Sequence, residues 1–178
     1  MVNNNKPSVD INSKLYQWPI RPVIVICVDG LDPEYLNQAI DDNIIPTIKQ
    51  FMDNGFHTIA DSVIPSLTNP NNMSIITGAP QSVHGISGNY YMERTTGQEI
   101  MMNKPEMVRC ESILSAFSSV GAKVVAVTAK EKLRALLGKD IDLTNGSVVF
   151  SCEKADECTL DINGITNDNS FNVIFFYN

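Results

Sequence analysis

The chain has few of the residues that most often bind catalytic metals. Of its 178 residues only two are histidines, His57 and His84. Neither histidine has a second one at the spacing of a zinc-binding motif, so the sequence contains no self-contained zinc motif. We therefore expect His84 to be a hydrogen-bonded structural residue rather than a metal ligand.

Cysteine is also scarce, and its spacing is uninformative. The four cysteines lie at positions that match no zinc or redox motif, and free thiols are expected for a protein of a reducing compartment. A disulfide between Cys152 and Cys158 is left open, although nothing in the pattern favours it.

The chain also has an excess of acidic over basic residues and lacks long apolar runs. Thirteen basic residues face twenty acidic ones, for a formal net charge of −7, so no basic stripe exists to neutralise nucleic acid or an anionic membrane. No apolar run is long enough to cross a bilayer, and the polar N-terminus lacks the apolar core of a signal peptide. We expect a cytoplasmic protein whose partner is a small molecule.

The apolar residues that are present indicate an α/β protein. A hydrophobic content of 43% over this length predicts one domain spanning residues 1–178, with residues 1–20 as an extended arm. Continuous β-branched runs are typical of buried parallel strands, and helical patterns alternate with them. We therefore predict a mostly parallel sheet flanked by helices, with strands at Val23–Val28, Phe56–Val63, Lys123–Thr128, Val148–Phe150 and Val173–Tyr177.

Turn and cap residues delimit the remaining elements. Proline at a first helical position and glycine after the last one mark helix ends, and a central glycine marks a hairpin. The predicted helices are 33–39, 46–53, 70–77, 109–120 and 133–137, the predicted hairpin is 90–102, and residues 151–170 are predicted to be a loop.

The most informative stretch runs from Ile64 to Gly78. Asn69 precedes a proline, which disfavours helix at that residue, and Pro70 suits a first helical position. Thr68 is then placed just before a helix, where free N–H groups and the helix dipole favour an anion or a deprotonated oxygen. Thr68 is therefore a candidate nucleophile, and the alternative is that it only caps the helix.

A carboxylate follows the first predicted strand. Asp32 serves as the cap of the next helix, which leaves Asp29 without a structural task. A carboxylate at the carboxyl end of a parallel strand lies where open α/β sheets bind ligands. The alternative for Asp29 is a simple turn before Gly30.

Three further polar residues are candidates for binding an anion. Asn89 ends a glycine-spaced loop in which a backbone can approach a ligand closely. Lys130 and Lys132 would point to the same side if the backbone stays extended through Glu131, because side chains alternate along a strand. If the helix begins earlier, the two lysines diverge and are ordinary solvated charges.

Six segments between residue 22 and about residue 150 share their order with a known family. They are Val28-Asp-Gly-Leu-Asp-Pro-Glu-Tyr35, Pro65-Ser-Leu-Thr-Asn-Pro-Asn-Asn72, Thr77-Gly78, Val83-His-Gly-Ile-Ser-Gly-Asn-Tyr90, Met101-Met-Asn103 and Val127-Thr-Ala-Lys-Glu-Lys-Leu-Arg-Ala-Leu-Leu-Gly138. Together these segments resemble phosphonoacetate hydrolase, a family of the alkaline phosphatase superfamily.

The resemblance implies a role for each candidate residue. Asp29 and Thr68 would ligate a zinc ion, and Thr68 would also be the nucleophile that forms a phosphothreonine intermediate. Asn89 would bind a phosphonyl oxygen, and Lys130 and Lys132 would hold the two anionic ends of the substrate. The implied reaction is zinc-dependent cleavage of the C–P bond of phosphonoacetate to acetate and phosphate.

The resemblance also implies that more residues are needed. The family's two-zinc site uses an Asp and a His, an Asp-His pair and a further His beyond those matched here, and a catalytic zinc takes about three protein ligands. We expect this chain to be the N-terminal portion of such an enzyme, inactive alone, with faces that another chain or a second copy in a homo-oligomer would cover. The alternatives are a phosphodiesterase or phosphomonoesterase of the same superfamily and a non-catalytic anion-binding module.

Overall fold

The computed structural model describes residues 6–157, residue 163 and the backbone of residues 173–177. By Cα proximity the chain forms two compact units, one of Met1–Cys27 with Val63–Asn178 and one of Val28–Ser62. The strands are β1 Ser8–Ile11, β2 Lys14–Gln17, β3 Val23–Cys27, β4 Tyr90–Met92, β5 Glu99–Met101, β6 Val124–Thr128, β7 Val148–Ser151 and β8 Val173–Tyr177. The α-helices are α1 Pro33–Asp41, α2 Pro46–Asn54, α3 Thr68–Thr77, α4 Gln81–His84, α5 Ile113–Ser119 and α6 Glu131–Leu137, and 3-10 turns span Pro105–Met107, Leu143–Asn145 and Cys152–Glu157.

The larger unit is built on a sheet with the strand order β3-β8-β6-β7, in which each neighbouring pair is parallel. Strand β6 is an inner strand of this sheet and is buried, as predicted, and α6 packs against β6 and β7. Leu133 and Leu137 of α6 and Val124 and Ala126 of β6 are fully buried in one core. Each buried leucine stabilises the fold by about 1.5–3 kcal/mol, so this layer holds the carboxyl end of β6 in place.

The prediction that the first strand is buried on both faces is wrong. β3 forms where predicted, but Val23 is 45% exposed and Ile26 is 66% exposed. Among the described residues β3 lies at one edge of the sheet and pairs with β8, and its side chains are largely uncovered.

The predicted extended arm of residues 1–20 is instead a hairpin over its described part. Strands β1 and β2 pair antiparallel, and Asn12 and Ser13 between them have φ values of 50° and 65°. Two successive residues with positive φ form the tight turn whose twist matches a hairpin, and asparagine tolerates that conformation well. The hairpin buries Val9 and Ile11 beside Phe117 of α5.

The smaller unit carries two helices whose ends follow the predicted signals. The Asp32 side chain accepts a hydrogen bond of 2.8 Å from the Glu34 N–H and caps α1, and Gly55 ends α2. The strand predicted at Phe56–Val63 is wrong. That segment is irregular, and no strand among the described residues pairs with it.

The remaining predicted boundaries are mostly close. The hairpin of β4 and β5 is confirmed, while α5 begins at Ile113 instead of 109 because Ser112 forms a reciprocal capping box with Ser115. Residues 152–157 form a 3-10 turn, and the rest of the predicted loop lies largely outside the described residues.

Among the described residues Cys110 and Cys152 are free thiols. Cys158, the other residue of the bridge left open above, lies outside the described residues. No helix among the described residues has the length and apolarity needed to span a bilayer.

Buried His84 fixes the loop between α4 and β4, and the expectation of a hydrogen-bonded structural histidine is confirmed. Its Nδ1 accepts the Ile86 N–H at 3.1 Å, so the ring hydrogen is on Nε2 and is donated to Ser74 Oγ at 3.0 Å. Burial, and secondarily the charge of Arg109, lowers the pKa of His84 below its usual 6.5. The neutral ring therefore belongs to the folded state.

The turn after His84 has room only for glycine. Gly85 has a φ of +88°, and a Cβ there would lie 2.6 Å from Arg109 Nε and 2.7 Å from Met107 O. Gly97, in the turn of the β4–β5 hairpin, has a similar φ of +68° but would meet nothing within 4 Å.

We predict that the stability contributed by neutral His84 is fully present above pH 6.5 and is lost as the pH falls through the lowered pKa of the folded state. Unfolding in urea at pH 7.5, 6.5 and 5.5 measures this loss, and H84Q, which does not titrate, is the control. An equal loss of unfolding free energy in wild type and H84Q over this range would contradict the prediction.

We predict that Gly85→Ala destabilises the protein far more than Gly97→Ala. The Gly97 variant should cost about 1–2 kcal/mol for the left-handed conformation alone. The Gly85 variant bears the same cost and adds a clash between the new Cβ and Met107 O. The difference in unfolding free energy between the two variants therefore measures the cost of this clash. Equal losses would show that the loop shifts freely.

Candidate functional site

Thr68 is the first residue of α3, because the helix begins two residues earlier than predicted, at 68 instead of 70. The N-cap is Leu67, which has an extended backbone and no side-chain oxygen to cap with. Among the described residues the Thr68 hydroxyl makes no hydrogen bond, whereas the Thr77 hydroxyl at the other end donates to Met73 O at 2.6 Å. Thr68 therefore does not act as a helix cap, and its half-buried hydroxyl is available for chemistry.

Asn89 lies at the same end of α3. Its Oδ1 accepts the N–H of Asn69, the second residue of the helix, at 3.0 Å. This bond joins the glycine-spaced loop to the turn that carries Thr68, so the structure brings Asn89 and Thr68 together as neighbours at one helix terminus. The Asn69 N–H is bonded to Asn89 and Pro70 has no N–H, so among the described residues the Thr68 N–H is the helical donor that remains at this end. This donor and the positive dipole end of a ten-residue helix favour an anion there.

Two buried asparagines underlie this terminus. Asn69 Nδ2 donates to Met102 O and Asn72 Nδ2 donates to Thr68 O, each at 2.9 Å. Both side chains are almost fully buried, and their Oδ1 atoms have no partner among the described residues. The sequence analysis missed these residues, although asparagine is a poor former of helix interiors and three in the first five positions of α3 signal side-chain bonds to backbone.

Asp29 lies in the turn after β3, within the unit Val28–Ser62. Its carboxylate is exposed and has no hydrogen bond or ion pair among the described residues, which agrees with Asp32 being the cap. The shared coordination of one metal ion by Asp29 and Thr68 stays a prediction.

Of the two alternatives given above for Lys130 and Lys132, the structure shows the one in which the helix begins earlier. Lys130 has extended backbone angles, but α6 begins at Glu131, whose N–H donates to Glu153 Oε2 at 2.7 Å. This carboxylate satisfies the first helical N–H and so allows the helix to begin two residues earlier than predicted. The two lysines therefore do not alternate along a strand.

Neither lysine is committed to a carboxylate, however. Among the described residues Lys130 is exposed, Lys132 is half-buried, and neither forms an ion pair. No hydrogen bond in that part of the chain connects them to Thr68 or Asn89, so the structure brings together the first pair of candidates and leaves the lysines as separate positive charges of the same unit.

The candidate metal ligands among the described residues could supply only part of a zinc site. The oxygens of Asp29 and Thr68 have no partners among the described residues and are chemically suited to zinc, but a catalytic zinc takes about three protein ligands. Within the described ranges no group of three or more His, Cys, Asp and Glu side chains is arranged to hold a metal.

Comparison with solved structures gives close matches. Phosphonoacetate hydrolase from Sinorhizobium meliloti 1021 in complex with phosphonoacetate is 40% identical, with a TM-score of 0.89 over 97% of this chain and 49% of that one. The same enzyme in complex with phosphonoformate is 41% identical, with the same TM-score and coverage. The chain thus resembles phosphonoacetate hydrolase and spans about half the length of these structures.

Curated relatives match over shorter stretches. An uncharacterised pyrophosphatase/phosphodiesterase of Schizosaccharomyces pombe is 31% identical over 84 residues, which are 47% of this chain and 17% of that protein. An ectonucleotide pyrophosphatase/phosphodiesterase of Caenorhabditis elegans is 36% identical over 77 residues, 42% of this chain and 9% of that protein.

The family model described as type I phosphodiesterase / nucleotide pyrophosphatase matches residues 23–141, a span that includes all five candidate residues. The matched span contains both the Thr68 hydroxyl at the start of α3 and the Asn89 amide fixed beside it. The chain belongs to the type I phosphodiesterase / nucleotide pyrophosphatase family.

Proposed function

We propose that this chain carries the nucleophile and the substrate-oxygen donor of a zinc-dependent hydrolase that cleaves the C–P bond of phosphonoacetate. The observation that carries the proposal is the Thr68 hydroxyl at the N-terminus of α3, which has no partner among the described residues and lies next to the fixed Asn89 amide. The 40% identity to a phosphonoacetate hydrolase over nearly the whole chain supports this choice of substrate.

In the proposed reaction the Thr68 oxygen attacks phosphorus and the C–P bond breaks. The electron pair of that bond leaves with the acetate carbon, which takes up a proton to become acetate. The phosphothreonine that remains is hydrolysed by water, which regenerates the threonine hydroxyl and releases phosphate.

The residues of this chain supply position and charge stabilisation in that sequence. In this proposal the Thr68 N–H at the start of α3 and the Asn89 Nδ2 donors stabilise the negative charge that grows on the phosphonyl oxygens. Lys130 and Lys132 offer positive charge for the phosphonate and carboxylate ends of the substrate.

Zinc is part of the proposal, held by Asp29 and Thr68 together with ligands other than the residues described. When bound, it would lower the pKa of the threonine hydroxyl and so supply a better nucleophile at neutral pH. We place the reaction in the cytoplasm, with a small phosphonate as the partner and neither nucleic acid nor membrane involved, and self-association of the protein is compatible with this assignment.

A second candidate is hydrolysis of a phosphodiester by the same threonine. The match of residues 23–141 to the phosphodiesterase family favours it, because that family model spans the same site. The two candidates differ in what the substrate presents beyond phosphorus, which is a carboxylate in phosphonoacetate and an ester group in a diester.

We predict that Thr68→Ala in the full-length protein lowers phosphate release from phosphonoacetate roughly a thousandfold or more, because no other group replaces the attacking oxygen. Thr68→Ser keeps a hydroxyl and is the matched control, expected to retain measurable turnover. An unaffected rate in the alanine variant would remove Thr68 as the nucleophile.

We predict that Lys130→Met and Lys132→Met each raise the KM for phosphonoacetate roughly 10-fold or more, since a charge-assisted contact is worth about 1.5–3 kcal/mol. Turnover of bis-p-nitrophenyl phosphate, which has no carboxylate, should change less. A larger effect on the diester would favour the second candidate. Lys139→Met, two residues beyond the C-terminal end of α6, serves as the control.

A further inference from the structure

The two buried asparagines of α3 carry an unexplained cost. Asn69 is 0% exposed and Asn72 is 2% exposed, yet neither Oδ1 has a partner among the described residues. A buried polar atom without a partner costs about 1–3 kcal/mol, and an apolar side chain of similar shape would avoid that cost. We therefore look for the role of these two side chains in the hydrogen bonds that their Nδ2 groups donate.

The Asn69 nitrogens take part in a closed ring of hydrogen bonds. Its backbone N–H donates to Asn89 Oδ1 at 3.0 Å, and its Nδ2 donates to Met102 O at 2.9 Å. The Met102 N–H in turn donates to the backbone O of Asn89 at 2.7 Å. Asn89 is thus held twice, at its side chain by Asn69 and at its main chain by Met102, and Asn69 also anchors Met102.

This ring determines which way the Asn89 amide faces. A backbone N–H can only donate, so the Asn89 atom that contacts Asn69 has to be the oxygen, Oδ1. The Nδ2 group therefore faces away from that N–H, and among the described residues it has no protein acceptor. Both of its hydrogens are available to an oxygen of a ligand.

We infer that Asn69 is a positioning residue that presents the Asn89 Nδ2 donors to a phosphonyl oxygen beside Thr68. The inference rests on the proposed function, because it takes Asn89 as the group that contacts substrate. Asn69 acts only through the ring: its Nδ2 fixes Met102, Met102 fixes the Asn89 main chain, and the Asn69 N–H fixes the amide.

Asn72 provides an internal comparison. It has the same burial, the same orphaned Oδ1 and the same kind of bond from Nδ2 to a backbone oxygen. Its acceptor is Thr68 O, however, so it lies outside the ring that holds Asn89.

The test is a double-mutant cycle in the full-length protein, with phosphate release from phosphonoacetate as the assay. Asn69→Leu should lower kcat/KM roughly 10- to 100-fold, the size expected when a reacting partner is misplaced by about 1 Å. In the Asn89→Ala background the same change should have almost no further effect, because the group it positions is gone. A full loss in both backgrounds, or no loss in either, would overturn the inference.

Asn72→Leu is the matched control in the same cycle. It removes an equally buried amide but leaves the ring intact, so its effect should be equal with and without the Asn89 side chain. Coupling to Asn89 as large as that of Asn69 would contradict a specific role for Asn69.

Amide hydrogen exchange separates this inference from the proposed function. The Met102 N–H should exchange faster in Asn69→Leu than in Asn72→Leu or wild type, because the Met102 carbonyl is no longer anchored by Asn69 Nδ2. Absence of phosphate release by the wild-type protein would overturn the proposed function but not the ring. An unchanged Met102 exchange rate would overturn the ring whatever the activity.

Discussion

The hydrogen bond from the Asn69 N–H to Asn89 Oδ1 is the constraint on which the rest of the site depends. It joins residues twenty positions apart in sequence and brings a loop onto the start of a helix. One helical N–H is satisfied by a side chain that still has two donors to offer. The helix end and the loop thus combine their donors at one place, next to a hydroxyl that is otherwise unused.

The loop can make this contact because its other end is rigid. His84 is fully buried beneath it, and Arg109 secures its backbone through a bond from the Arg109 N–H to His84 O at 3.1 Å and one from its guanidinium to Ser82 O at 3.2 Å. A fixed neutral imidazole and a positive-φ glycine leave this stretch little freedom. The position of Asn89 therefore depends on contacts of His84 and Arg109 that lie outside the site.

Much of this could be predicted from sequence because the signals were local. The proline-led helices, the glycine at the end of α3 and the β-branched run of β6 each depend on a few neighbouring residues. Thr68, Asn89 and the family resemblance followed from motifs that contain those same residues.

The failures came from partners that are distant in sequence. The early start of α6 depends on Glu153, twenty-two residues away from Glu131, and the asparagine ring depends on Met102, thirty-three residues from Asn69. Phe56–Val63 has the alternation of a strand, but pairing requires a neighbouring strand, which local pattern cannot supply.

The tautomer of His84 has a consequence for a second hydroxyl on α3. Since the ring hydrogen is on Nε2, the imidazole donates to Ser74 Oγ and offers it no lone pair. A histidine that activates a serine must do the reverse and accept the hydroxyl proton. The Ser74–His84 contact has the residue types of a serine hydrolase pair, but it is a structural hydrogen bond that does not activate Ser74. A fluorophosphonate reagent therefore has no activated serine to modify there.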